Sequence, residues 1–186
     1  MIDVAGEVPE SLRKFSRGEY YALAATGAFD GERVELIGGF VVAMSPQNRR
    51  HSLGVQRLNQ WFVEHRHGLA VRPQLPLCLA ADTEPEPDLA LTDHAFETEH
   101  PSTAHLVIEV ASSSLRLDRL KAALYAIAGV PEYWILNLED DVVEVYRDPV
   151  GDAYRTREVV ARGGCLAPRC LPGEQLSVDD ILPDRR

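Results

Sequence analysis

Three residues have the types and spacing for chemistry. Pro87-Asp88 opens a short apolar stretch that runs to Leu91, and Glu109 ends another, His105-Leu-Val-Ile-Glu-Val110. Lys121 follows one helix further on. Read as strands, the two stretches place two carboxylates at neighbouring strand ends, with an ammonium nearby. Two carboxylates and a few waters are what a hard divalent cation such as Mg²⁺ requires. A cation and a lysine aimed at one point stabilise a phosphoryl transition state and activate water. The chemistry this predicts is metal-dependent hydrolysis of a phosphodiester by a nuclease.

The elements that must position these residues are legible from caps and breakers. Ser16-Arg-Gly-Glu19 has the capping-box form and starts a short helix through Tyr20, Leu23 and Ala24. Arg33 to Ile37 and Phe40 to Met44 read as a hairpin around Gly38-Gly39. Asn48 or Ser52 begins a helix through Leu58, Trp61, Phe62 and His65, closed by Gly68. The stretch from Leu69 to Leu79 is interrupted by Pro73 and Pro76, which predicts an edge or bulged strand. Ser112-Ser-Ser114 caps a helix from Leu115 to Ala128, whose Leu117, Leu120, Leu124 and Ile127 recur at three- and four-residue intervals as a packing face. Lys121 and Tyr125 then share another face, which is expected to turn toward Asp88 and Glu109. From Glu132 onward the pattern is strand, turn, strand, with a last helical turn at Ser177. The fold class is α/β: a mixed sheet flanked by helices, with additional antiparallel hairpins in the second half. Residues 1–15 read as an arm and 16–182 as one domain.

Composition narrows the function classes. The 186 residues carry 45% hydrophobic and 26% charged side chains, the balance of an ordinary folded domain. No apolar run approaches the ~20 residues of a membrane span. The N-terminus lacks a signal-peptide pattern, and three cysteines without a C-x-x-C pair suit a reducing compartment, so a cytoplasmic protein is expected. Net charge is −10, so any nucleic-acid contact must be a local patch. The candidates are Arg49-Arg50-His51, His65-Arg66-His67, and Arg116 with Arg119 and Lys121. Seventeen of the nineteen basic residues are arginine, so a lysine at 121 stands out. Lysine's compact charge and adjustable pKa suit catalysis.

Longer stretches carry a family resemblance. They are Arg33-Val-Glu-Leu-Ile-Gly-Gly39, Met44-Ser-Pro46 with His51, Glu86-Pro-Asp88, Val107-Ile-Glu-Val110, and above all Asp118 to Trp134. Together, over about Phe15 to Leu182, they resemble the Uma-two family of the restriction-endonuclease-like PD-(D/E)XK superfamily. The resemblance implies a restriction-endonuclease-like fold with Asp88 and Glu109 as metal ligands, and Glu35 and His51 completing or flanking the site. It also implies Mg²⁺ (or Mn²⁺) as cofactor and nucleic acid, DNA, as partner. Two positions depart from the pattern. The superfamily's lysine two residues after the second acid is Ala111 here, which leaves Lys121 to act from the next helix, and the usual Ser-Pro-Ser is Ser112-Ser-Ser114.

Plainer roles stand beside these. Lys121 lies three residues from Asp118, the spacing of an ordinary helix ion pair. Glu35 fits the exposed position of an alternating strand, and His51 a solvated surface histidine. His94, His100 and His105 match no zinc-ligand spacing, and Trp61, Tyr133 and Trp134 read as core aromatics. Two other functions are open: a nuclease-fold module that binds nucleic acid or a protein partner without turnover, which the acidic charge favours and the five site residue types oppose, and a phosphohydrolase of small nucleotides, which needs no basic groove. A two-fold homodimer is expected for double-strand cleavage, with the hairpins from Tyr133 to Val160 as the contact.

Overall fold

The computed structural model describes residues 12–93 and 99–184. A six-stranded mixed sheet is its frame, in the order β3-β4-β5-β6-β7-β8. The strands are β3 (Ala70–Pro73), β4 (Leu89–Thr92), β5 (Leu106–Ala111), β6 (Glu132–Asn137), β7 (Val142–Val150) and β8 (Ala153–Ala161). Every neighbouring pair is antiparallel except β5 and β6. Parallel neighbours need a crossover, and helix α3 (Leu115–Ile127) supplies it. Short β3, ending at Pro73, forms one edge, as its prolines predict.

Alternation along β5 divides the core. Leu106, Ile108 and Val110 pack with Leu58 and Phe62 of helix α2 (Arg49–His65), together with Trp134 and Leu136. Val107 and Ala111 face α3, where Leu115 and Tyr125 meet Tyr133 and Ile135. Successive side chains on a strand point to opposite faces, so Glu109 faces α3. Tyr133 and Trp134 are fully buried, and Trp61 is half-buried with its ring stacked on His65 at 4.4 Å.

Helix α2 lies unusually close to the sheet. A Cβ on Gly54 would sit 3.0 Å from a Leu136 methyl and 3.2 Å from a Val110 methyl. Only glycine permits that approach without displacing them, and it brings the start of α2 down to the ends of β4 and β5.

The hairpin of β1 (Val34–Ile37) and β2 (Phe40–Ala43) forms a separate two-stranded sheet. Its turn residues Gly38 and Gly39 have φ of 57° and 84°, the doubly positive backbone that a tight two-residue hairpin requires. Leu36 and Glu84 exchange backbone hydrogen bonds of 2.7 and 3.4 Å, which fasten the hairpin to the segment leading into Asp88. Helix α1 (Arg17–Ala24) starts with the expected capping box of Ser16 and Glu19. At the other end, β9 (Cys165–Leu166), β10 (Leu176–Ser177) and α4 (Val178–Ile181) close the α2 face of the core. Among the described residues no helix is long and apolar enough to cross a membrane.

One expectation is overturned. The apolar stripe of α3 does not pack on the sheet: Ile127 is 67% exposed, Leu120 is 39% exposed, and Leu117 and Leu124 are half-buried. The buried face carries Leu115, Asp118, Lys121, Tyr125 and Ala126 instead. Glu109 points toward that face, and a buried carboxylate must be paired or hydrogen-bonded. The helix therefore turns its hydrogen-bonding side inward.

Candidate active site

Asp88 precedes β4, and Glu109 lies near the end of the antiparallel neighbour β5, so the two acids come together. The Asp88 amide donates to Glu109 Oε2 at 3.3 Å, and the Val110 amide donates to Asp88 Oδ2 at 2.9 Å. Two more side chains hold Asp88. His51 Nε2 lies 3.1 Å from Oδ2, and Gln74 donates to Oδ1 at 3.3 Å. His51 is placed by the start of α2, where its amide caps onto Asn48 at 2.9 Å. Asn48 in turn donates to Ser112 Oγ at 2.6 Å, tying α2 to the loop before α3. The His51 ring therefore belongs to the site and is not a solvated surface group.

Lys121 points inward with 3% of its surface exposed. Its Nζ lies 2.8 and 3.0 Å from the two oxygens of Glu35 and 3.1 Å from Glu109 Oε1. It meets Glu109 as its position predicts, while among the described residues no hydrogen bond joins it to Asp88. The surface ion pair with Asp118 does not form: Asp118 Oδ2 accepts from Ser114 Oγ at 2.6 Å. Ser114 consequently occupies the N-cap position of α3 without a side-chain capping bond. Glu35 is 2% exposed, so it is not the outward residue of an alternating strand. The docked hairpin buries it, and the Glu86 amide donates to its Oε2 at 3.1 Å.

Burial among like charges shapes the electrostatics. Desolvation pushes the Glu109 carboxyl up to about 8, against the pull of the Lys121 ammonium. Desolvation also raises Asp118 to about 6, again opposed by Lys121. Burial alone would lower Lys121, but Glu109 and Glu35 outweigh it and hold its pKa above the ordinary value. The ammonium stays charged between two acids.

The structure adds three residues to the site that the sequence reading left without a role there, although it placed Tyr125 on the Lys121 face and offered Asp118 as a surface ion-pair partner. Tyr125 donates to Glu109 Oε1 at 2.9 Å, Asp118 is 3% exposed beside Lys121, and Gln74 holds Asp88. Asp118, Lys121 and Tyr125 follow at intervals of three and four, one helical face, and that spacing was the available signal. Gln74 left none, because it reaches the site through a left-handed backbone (φ 51°) just after β3.

All five expected side chains line one cleft of about 400 Å³: Glu35, His51, Asp88, Glu109 and Lys121. The donor oxygens suit a hard cation, and the cluster already surrounds one positive group, the Lys121 ammonium. Among the described residues no three acids, histidines or cysteines are arranged as a finished ligand set. Of the loop histidines, His105 pairs with Asp93 at 2.6 Å and His100 lies 3.2 Å from Arg72. His94 lies outside the described residues.

Comparison with known proteins bears on the family and the fold. The model of the Uma2 family, described as "Putative restriction endonuclease", matches residues 17–179. The chain belongs to the Uma2 family. Among solved structures, it is similar to one described as "a putative nuclease belonging to DUF820" from Anabaena variabilis ATCC 29413. That similarity has a TM-score of 0.71 at 16% identity, over 90% of this chain and 97% of the other. At that identity the likeness shows the fold alone, a mixed sheet flanked by helices. No protein of curated function matches this Uma2 chain by sequence.

Proposed function

We propose that this protein is a metal-dependent nuclease that hydrolyses phosphodiester bonds of nucleic acid, with DNA as substrate. The observation that carries the reading is Lys121, a fully buried ammonium held by Glu35 and Glu109 at the rim of Asp88. A structural ion pair needs no such cleft, and burying three charges for stability alone is a poor bargain. The family description and the nuclease-type fold support the same class of reaction.

Asp88, Glu109 and Glu35 are the residues that would hold Mg²⁺ or Mn²⁺. Bound there, the ion supplies Lewis acidity and a water of lowered pKa. The rest of the task falls to this chain's own groups. Lys121 places its ammonium where negative charge develops on the phosphorane oxygens. Tyr125 and the Asp88 amide fix the two oxygens of Glu109, and Val110 and Gln74 fix those of Asp88, so the acids are oriented before substrate arrives. His51, resting on Asp88, faces the cleft, where it orients the scissile phosphate or takes up a proton. One cleft cuts one strand, so a two-fold homodimer belongs to this reading.

Supercoiled plasmid incubated with Mn²⁺ tests it. Wild type is expected to nick and linearise the plasmid, and Asp88→Ala and Lys121→Ala to lose that activity. Mn²⁺ should bind the wild type in calorimetry but not Asp88→Asn. Intact plasmid with Mn²⁺ binding retained would mean a non-catalytic module, and turnover of small nucleotides alone would mean a phosphohydrolase.

A further inference from the structure

The cleft is a poor host for a polyanion. Glu35, Glu86, Asp88, Glu109 and Asp118 line it, against Arg33, Lys121 and Arg116. Glu35 and Glu109 take up the charge of Lys121, and Arg33 lies 3.4 Å from Glu86. Of the other basic groups that the sequence offers, Arg49 and Arg66 are exposed but do not line the cleft, and several more are spent on internal pairs. Arg50 bonds Asp141 at 2.6 Å, His67 bonds Glu174 at 2.8 Å, and Arg119 bonds Glu144 at 2.5 Å. Among the described residues that line the cleft, Arg116 is the cation without an ion pair, and it is exposed.

Its position is as telling as its charge. Arg116, on the first turn of α3, borders both the cleft and a second hollow of about 480 Å³ beside it. Ser113, Leu115, Leu120, Glu139 and Arg119, the last paired with Glu144, also line that hollow. A guanidinium on the ridge between two depressions can reach a group that passes from one to the other. Its planar fork of donors matches a phosphate in two-point contact.

We infer that Arg116 binds a backbone phosphate next to the scissile one, and that the substrate is a strand crossing the first turn of α3 into the neighbouring hollow. The inference rests on the nuclease reading and adds the form of the substrate: a chain of several nucleotides, not a single nucleotide. It also accounts for binding by a protein of net charge −10, because a phosphate contact is needed at one local point only.

The test is equilibrium binding of a fluorescently labelled single-stranded oligodeoxynucleotide, by anisotropy, across a salt series with Ca²⁺ present. Each phosphate contact to a single strand contributes about 0.7 to the slope of log K against log salt. Arg116→Gln is expected to weaken binding several-fold and to lower the slope by about that amount. Arg116→Lys should keep the slope, and Mn²⁺ binding by Arg116→Gln should match wild type. Equal slopes in wild type and Arg116→Gln, no oligonucleotide binding by wild type, or altered Mn²⁺ binding in the variant would each overturn the assignment. The plasmid assay reads the nuclease proposal separately. Nicking with equal slopes removes Arg116 alone, and a lowered slope without nicking removes the nuclease reading alone.

Discussion

Replacing Lys121 by methionine tests whether its ammonium balances the buried acids. The side chain is 4% exposed, and its partners Glu35 and Glu109 are 2% and 5% exposed. Methionine keeps most of the stem's volume and removes the charge, so the change is electrostatic rather than a cavity. At an effective dielectric of 20, each contact of about 3 Å is worth roughly 5 kcal/mol gross, and recovered desolvation of the ammonium offsets several kcal/mol of the sum. What remains is the cost of two buried carboxylates without a counter-charge, about 3–5 kcal/mol. For a domain of this size that lowers Tm by roughly 6–20 °C. The loss depends on pH. Burial raises the folded Glu109 pKa to about 8, above its unfolded value of 4.5, so the native state binds the extra proton in that window. Stability therefore falls as pH rises from about 4.5 to 8, and without the ammonium it falls further. Circular-dichroism melts in EDTA should show the larger Tm deficit at pH 8 and a smaller one at pH 5. Added Mn²⁺ should raise the Tm of the variant more than that of wild type, because it restores the missing positive charge. A variant as stable as wild type at pH 8 would refute the reasoning.

Four further outcomes are expected. Tyr125→Phe removes the hydrogen bond to Glu109 and should cost about 1 kcal/mol in urea unfolding, with Mn²⁺ affinity reduced. Burial would raise Glu144, but bonds from Arg119, Tyr146, Arg157 and Asn137 hold it down at about 2. Its stabilisation is present above the unfolded value of 4.5 and lost as pH falls toward about 2, so Glu144→Gln should lower Tm at pH 7 and flatten that acid limb. Ile127→Lys, on the outward stripe of α3, should change stability by less than about 0.5 kcal/mol, whereas Leu115→Ala on the inward face should cost about 2–5. Light scattering should return twice the 20.6 kDa chain mass if the nuclease is a two-fold dimer, and the monomer mass would count against that assembly.

Much of the frame was legible because local chemistry dictates it. Ser16 and Glu19, Gly38-Gly39, Asn48 and Pro73 each perform a backbone task that few residues can, and the structure uses them there. The acid pair was legible because Glu109 interrupts an apolar strand, and burying it calls for a partner. The orientation of α3 was legible only in part: Lys121 and Tyr125 were expected on the face toward Glu109, and they are there, but the apolar stripe was also expected to pack on the core, and it does not. Its leucines and isoleucine form the cleaner periodic stripe, but what turns the helix is the need of Glu109 for Lys121 and Tyr125, a tertiary demand that periodicity cannot report. Ser114 was misjudged for a related reason, since its hydroxyl serves Asp118 rather than the helix end. Gln74 reaches Asp88 only because the chain bends back after an edge strand.

The separate hairpin of β1 and β2 has a kinetic consequence. Glu109, Lys121 and Tyr125 lie within one strand–helix unit, so their contacts close over short loops and form early. Glu35 is 86 residues from Lys121 and arrives on a two-stranded ribbon outside the main sheet. Small local units of this kind open at a free energy below that of global unfolding. Each opening withdraws one of the two anions around the ammonium and lets water into the cluster. Amide hydrogen exchange at Leu36 and Glu84, which hold the ribbon down, therefore reads out how often the site is assembled.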